Sequence, residues 1–477
     1  MRATAAEPTS CFPASPSLGL IAVSALVFTL AGCNNSRAPA DAMLSGLSAG
    51  GPGSASLSGH ACPGTITTNA DELNRALSEA VAGSVICLAN GIWRDLIVTV
   101  AQSGSRYDLI TLRAETPGKV FIEGESLLEV RGDYVKITGL YFRNGRPADD
   151  SGVIKLYGDH NQLTQTTIDG FNGNRDKKWV SLYGQYADVS YNLFTGKTTA
   201  GALLTVWRGD DRPQYHKIRH NHFSNYAYGG GANGWETIRL GTSTHSQSDS
   251  YTLIENNLFA DCDGEIEIIS VKSGKNTLRG NLFVDSRGLL TLRHGKGNTV
   301  ENNVFLQYGK ADGGGIRFYD EGHVIRNNYM AGIQTSLDAR GAIVVHSGVN
   351  AQGETAVLNA QWTPRDVRVE NNTIYLSEQS FVYGGKYKYP AERISFSGNL
   401  VYTDFTAPIV RADAALTEAS YSSEKYWGAD LGFPPVEGIA IEEFSLAPDG
   451  QGLYLHATLG AQALQVLKES DVGPSQY

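Results

Sequence analysis

Asn257-Leu-Phe259, Asn281-Leu-Phe283, Asn303-Val-Phe305: one triplet returns after 24 and then 22 residues. Upstream it reads Asn192-Leu-Phe194 and Asn221-His-Phe223. Downstream it loosens to Asn328-Tyr-Met330, Asn372-Thr-Ile374 and Asn399-Leu-Val401. The spacing never falls below 22 and widens to 44 between Asn328 and Asn372. A fixed minimum with occasional insertions is the signature of a solenoid whose loops grow out of a constant coil. Between the anchors, segments such as Val153-Ile-Lys-Leu-Tyr157 and Leu289-Leu-Thr-Leu-Arg293 alternate as strands, with Gly, Asn and Asp at the bends. Many short strands at even spacing also suit a sandwich or a propeller. We read an all-β chain folded as a right-handed parallel β-helix. Its asparagines stack as an inward ladder at each bend and its phenylalanines stack in the core.

The rest of the chain fits around that coil. Asp71 to Ala82 has a helical pattern and is expected to cap the first coil, since an uncovered solenoid end is an exposed sheet edge. Leu453 to Leu467 is the candidate for a C-terminal cap. Residues 18–32 form an apolar run that ends in Leu30-Ala31-Gly32-Cys33, too short for a spanning helix and suited to a secretory signal. Small residues before a cysteine resemble the lipobox of bacterial lipoproteins. That resemblance implies a signal peptide over 1–32, lipid on Cys33, and an exported protein at the outer membrane, in the periplasm or on the cell surface. The alternative is an ordinary signal peptide. Residues 33–60, rich in Ser, Gly and Ala, read as a flexible tether, and 61–477 as one β-helix domain. Export permits a Cys62–Cys87 bridge that would clamp the cap to the first coil, leaving Cys262 unpaired and buried.

A net charge of −10 argues against nucleic acid and anionic lipid as partners, so membrane contact would come only through the anchor. It does not forbid an acidic polymer. Lys272, Lys275, Arg279, Arg293, Lys296 and Arg317 could form a basic groove on an acidic body, or simply a solvated face. The sharper signal is Glu265-Ile-Glu267, followed by Lys272 and, 21 residues later, Arg293. Alternation by two sends both carboxylates off one face of a strand. One coil of separation would make Lys272 and Arg293 neighbours on one wall. Oxygen-rich pairs suit Ca2+, and Asn233-Gly-Trp-Glu236 could add an oxygen ligand.

These residues resemble polysaccharide lyase family six, which holds chondroitinase B and many alginate lyases. The carrying stretches are Asn233-Gly-Trp-Glu236-Thr-Ile-Arg239-Leu-Gly241, Glu265-Ile-Glu267, Ser270-Val-Lys272-Ser and Leu292-Arg293-His294-Gly295. The resemblance extends from Asn90-Gly-Ile-Trp93 through Ile137-Thr-Gly-Leu-Tyr-Phe142 to Asn327-Asn328. It implies a right-handed β-helix with Lys272 as base, Arg293 as acid, and Asn233, Glu265 and Glu267 holding calcium. The implied substrate is an acidic polysaccharide, alginate or a glycosaminoglycan, cleaved by β-elimination. A metal on the uronate carboxylate would stabilise the enolate formed when the C-5 proton leaves. Guanidinium surrenders its proton poorly, so Arg293 could instead steady the leaving oxygen while water or the lysine returns the proton. Arg239, His294, Arg317 and Tyr319 are the further candidates for binding sugar.

Other readings compete. Dermatan or chondroitin sulfate offers the same uronate with added sulfates. A surface solenoid that only binds polysaccharide would keep binding without Lys272. A pectin-type glycosidase needs paired carboxyl acids, which Glu265 and Glu267 could supply, but Lys272 and Arg293 would then be unexplained.

Overall fold

Each asparagine of the triplet has a neighbour that explains it. In the computed structural model, which describes residues 62–475 apart from 174–176, 309, 336 and 351–356, these side chains form one continuous buried ladder. The Asn257 amide donates to Asn281 Oδ1 at 3.0 Å, Asn281 to Asn303 at 2.9 Å, and Asn303 to Asn328 at 3.0 Å. Each Oδ1 also accepts a backbone N–H from the preceding coil, so every buried polar group at the bend is met. The residue before each rung is left-handed: Asn256 at φ 54°, Gly280 at 62°, Asn302 at 58° and Asn327 at 54°. Asn and Gly tolerate that backbone best, which explains the Asn-Asn doublets.

The coils have three walls, joined between coils by parallel strands. One is a 14-stranded sheet running through Leu253–Glu255 and Thr277–Arg279. The other two belong to one 25-stranded sheet, because the long strand Val120–Val130 runs through both. The phenylalanine wall includes Leu258–Cys262, Leu282–Val284 and Val304–Leu306. Its central residues point inward, and Phe223, Phe259, Phe283 and Phe305 stack with centroids 5.0, 4.7 and 4.4 Å apart. The expected parallel β-helix is what the chain forms.

The third wall reverses the pattern. In Ile238–Gly241 and Ile316–Phe318 the flanking apolar residues are buried and the central arginine faces out. Along this cleft wall the register stacks Lys155, Ser181, Thr205, Arg239, Ser270, Thr291, Arg317 and Val344.

The short helix is Ala70–Ser78, with Asn69 as N-cap accepting from the Glu72 amide, and it buries Leu73 and Leu77. It stops short of Ala82 because the chain turns at left-handed Gly83 into the strand Val85–Leu88. Cys62 and Cys87 are bridged. Cys262 is free and buried, and burial pushes its thiol up to about 12.

The segment expected as a C-terminal cap is instead a strap. Leu453, Ala461, Leu464, Leu467 and Val472 pack on Leu258, Leu282, Val304 and Tyr329, the outward residues of the phenylalanine wall. The strap is fastened where Ala461 N donates to Thr373 Oγ1 and, several coils earlier, where Ser475 N donates to Gln165 Oε1. Apolar side chains on that outward face need covering, and the tail supplies the cover. The signal segment 1–32, the tether 33–60 and Cys33 lie outside the described residues.

Candidate active site

Two bulges shape the centre of the cleft wall. Between the strands Glu267–Lys272 and Leu289–His294, Val271 pairs with Leu292 but Lys272 pairs with His294. Arg293 is the extra residue. It is therefore not the direct rung neighbour of Lys272 that simple coil spacing predicts. Ile268 is the extra residue at the other end of the same pair of strands, between Glu267 and Ile269. Such insertions re-aim side chains at the cost of a ladder hydrogen bond. Here they leave Lys272 and Arg293 partly open to solvent, with side chains 17% and 28% exposed.

The acidic pair divides. Glu267 opens the strand, whereas Glu265 lies in the bend before it, so the two do not alternate along one strand as expected. Glu267 Oε1 accepts from Arg317 at 2.7 Å and from Arg293 at 3.3 Å, while its Oε2 takes the Ser270 hydroxyl. Burial alone would raise its pKa, but Arg317, Arg293 and Ser270 together hold it below the ordinary carboxylate value. Glu265 has the opposite fate. Burial first, then the charges of Glu236 and Glu267, push its carboxyl well above the usual range.

Glu236 closes the stretch expected to add an oxygen ligand, a role the family resemblance gives to Asn233 instead. Its carboxylate is 1% exposed, with Oε1 3.9 Å from Lys272 Nζ and Oε2 buried without a hydrogen-bond partner. The signal was available. Ile238 pairs with Ile269, so counting back two on each strand sets Glu236 beside Glu267. A register was needed to make that count.

Asn233 is exposed in the loop before Ile238–Gly241. Arg239 is half-buried, its guanidinium 5.2 Å from the Trp207 ring centroid, and among the described residues it makes no ion pair. It faces the cleft one coil before Lys272, free to meet an anion. Arg317 and Tyr319, expected to hold a further sugar, are 4% and 2% exposed. Arg317 is turned onto Glu267, and Tyr319 packs against His346 at 4.8 Å between centroids. His294 is buried too. Burial, then Arg293 and Lys272, lower its pKa to about 3, leaving a neutral imidazole with an unpartnered Nδ1. The six basic residues do not form one groove: Arg279 pairs with Glu255 on another wall, and Lys296 with Glu321.

Among the described residues, no three His, Cys, Asp or Glu side chains are grouped to hold a metal. The donor chemistry nonetheless fits a hard cation. Glu236 has a buried Oε2 without a hydrogen-bond partner, its charge bears on the buried carboxyl group of Glu265, and carboxylate oxygens are calcium's preferred ligands.

The family profile of chondroitinase B matches residues 67–458. Among solved structures, an alginate lyase of polysaccharide lyase family six bound to a trisaccharide is similar at 32% identity. The match covers 87% of this chain and 94% of that one, with a TM-score of 0.78. AlyGC, another alginate lyase of the family, matches at 32% identity and a TM-score of 0.79, over 86% of this chain and 58% of its own. A family-six lyase from Pseudopedobacter saltans, at 24% identity and a TM-score of 0.73 over 87% and 99% of the two chains, shares the fold. No curated protein matches.

Proposed function

The chain belongs to polysaccharide lyase family six, the family of chondroitinase B, and on that premise we propose that it cleaves alginate by β-elimination. The observation that carries this reading is the pairing of a part-exposed lysine and arginine on one wall, beside three buried carboxyl groups. Lys272, as the neutral amine, takes the C-5 proton of a uronate. The electrons left behind form a double bond between C-4 and C-5, and the glycosidic bond at C-4 breaks. The departing oxygen, steadied by the Arg293 guanidinium, takes up a proton from water or from the Lys272 ammonium. Arg293 suits charge stabilisation better than proton donation because guanidinium is effectively always protonated. Glu267 fixes its orientation through the 3.3 Å contact.

Arg239, which makes no ion pair among the described residues and faces the same cleft, is placed to bind a neighbouring uronate. Calcium, when bound at the acidic side of the cleft, would neutralise the substrate carboxylate and lower the cost of the enolate. Glu265 is its natural anchor: that carboxyl group is 5% exposed, and the charges of Glu236 and Glu267 on it outweigh that of Lys272. Alginate is preferred to dermatan sulfate because the two similar structures at 32% identity are alginate lyases. The leader over 1–32 and its Leu30-Ala31-Gly32-Cys33 ending support export with a lipid on Cys33. Mass spectrometry of the mature N-terminus tests that.

The activity test is ultraviolet absorbance from unsaturated uronate ends, measured on alginate and on dermatan sulfate, with and without chelator. Absorbance should rise on alginate and not with Lys272→Ala. New reducing ends without that absorbance would mean hydrolysis, and binding without either would mean a non-catalytic solenoid.

A further inference from the structure

On the N-terminal side of Arg239 the cleft wall is covered. The register steps back from Ser270, on the strand of Lys272, through Arg239 and Thr205 to Ser181, a span of roughly 14 Å at the spacing of paired strands. At Ser181 the outward face is closed, because its hydroxyl donates to the Ser151 carbonyl in the loop 148–152. One coil further back, Lys155 holds the outward register position that Arg239 holds, yet it is 3% exposed. Its ammonium is folded under the same loop onto Asp149, with Glu129 at 3.2 Å on its other side. The next coil pins the loop as well: Asp150 pairs with Lys177 at 2.9 Å, and its carbonyl accepts the Lys178 N–H at 3.4 Å.

Beside the loop stand three rings. The Trp207 indole N–H donates to the Ser181 hydroxyl at 3.2 Å, so ring, serine and loop form one span across the wall. Tyr157, Tyr183 and Trp207 stack from coil to coil with interplanar angles of 12° and 5°. Rings stacked in that direction stand across the axis of the solenoid, so a sugar chain running along the wall meets them as a barrier and not as a platform. Charge agrees with shape. Lys155 and Lys177 are consumed by Glu129, Asp149 and Asp150, while the Asp149 and Asp150 side chains stay 42% and 65% exposed. A polyuronate reaching that far meets carboxylate instead of cation.

We propose that the loop 148–152 and the Trp207 ring close this end of the cleft, so that the protein seats the end of a polyuronate chain there and releases short products of one length. This deepens the lyase reading and rests on it: the reaction at Lys272 is unchanged, and the wall decides where along the polymer it happens. Arg239, between the wall and Lys272, then holds a sugar close to the chain end.

A digest of polymeric alginate by the full chain, followed together by viscosity, ultraviolet absorbance and product size, tests this. Absorbance should rise while viscosity lags, with one short product size dominant from the first time points. A variant with Asp149-Asp150-Ser151 replaced by Gly-Gly should shift to a ladder of sizes with an early fall in viscosity. The proposal is overturned if the wild type itself gives the ladder and the early fall, or if the variant, folded by thermal melt, keeps the wild-type profile. Should the variant fail to fold, the wild-type digest decides alone. Absence of ultraviolet absorbance would count against the lyase reading and not against the wall. The wall is then read by calorimetric titration of Lys272→Ala, with the loop intact or shortened, against alginate oligosaccharides of increasing length. Affinity should stop rising at a shorter oligosaccharide with the loop intact, and the same limiting length for both, or no binding by either, overturns the proposal.

Discussion

The bend that carries the asparagine ladder and the wall that carries Lys272 are made by the same coils, yet they obey different rules. At the bend, one rung's surroundings are the next rung's, so one residue type solves the problem each time and the sequence repeats. Along the cleft wall, successive register positions read Lys155, Ser181, Thr205, Arg239, Ser270, Thr291, Arg317 and Val344. No packing demand repeats there, because the outer face meets solvent, loops or substrate. In a solenoid, periodic residues build the coil, and the departures from periodicity mark where chemistry has been placed.

That contrast predicts opposite consequences for two substitutions a short distance apart. Lys272→Ala should abolish lyase activity by about 10^3-fold or more, as loss of a general base does. Its melting temperature should move little, since the one ion pair the side chain makes among the described residues is the 3.9 Å contact with Glu236. Ultraviolet kinetics and a thermal melt on the same preparation check both halves. A melt that fell as far as the activity did would erase the distinction between wall and ladder.

Asn281→Ala is the mirror experiment. It removes donors to Asn303 Oδ1 and Ile254 O, and the acceptor for the Asn257 amide and backbone N–H. Several buried groups lose partners at once, so destabilisation of about 3–5 kcal/mol is expected in denaturant melts. The turnover number per folded molecule should stay near wild type. Neighbour-only coupling in solenoids makes fraying around that coil the expected route of unfolding, and hydrogen exchange would locate it.

The same contrast explains what could be read from sequence. The ladder, the phenylalanine stack and the parallel β-helix were legible because each coil repeats the same residue pattern. The Cys62–Cys87 bridge was legible from compartment and count. The site residues were legible only as a set. Arg293 enters through a bulge, and one added residue leaves no trace in residue spacing. Glu265 slips off the strand it was expected to share with Glu267, and Glu236 emerges only once Ile238 is set against Ile269. Arg317 has a charge that suits a groove and a burial that excludes it from one, which no linear pattern encodes. The tail at 453–467 carries apolar residues that fit an end cap or a lateral strap equally well. The apolar outward face of Leu258, Leu282 and Val304 decides for the strap.

The ladder's last rung offers a smaller and pH-dependent test. After Asn399 the repeat supplies Glu424, whose Oε1 accepts both the Asn399 amide and its backbone N–H at 2.9 Å, while the Tyr426 hydroxyl donates to Oε2. Burial, only partly offset by those donors, pushes the carboxyl from the ordinary 4.5 up to about 7. Between those values the folded chain keeps a proton that the unfolded chain releases. Stability is therefore full below about pH 4.5 and falls as pH rises through about 7, by up to about 3 kcal/mol. Glu424→Gln retains the acceptor and removes the titration. Denaturant midpoints compared from acid to mildly alkaline pH should show the variant gaining on wild type through that window. Parallel curves would mean that Glu424 titrates normally and that the rung tolerates charge.

One stretch of the cleft wall does repeat, and it puts the rule itself at risk. Tyr157 and Tyr183 stack at 4.4 Å, Tyr183 and Trp207 at 6.0 Å, and Arg239 completes the column over Trp207 at 5.2 Å. If repetition always means structure, these rings serve only the coil, and Trp207→Ala should cost stability alone. The rings are half-buried rather than sealed, however, and the column ends beside Lys272 on an arginine that makes no ion pair among the described residues. Trp207 holds that guanidinium by a cation–π contact, an interaction of about 0.5–2 kcal/mol. Removing the ring should loosen Arg239 and raise KM for alginate by about threefold to tenfold with turnover little changed, the mark of lost ground-state binding. Arg239→Ala should raise KM at least as much, and the double variant should add little to it, because the ring acts through the arginine. Full additivity of the two would separate them, making Trp207 a coil residue and leaving Arg239 to hold the sugar unaided.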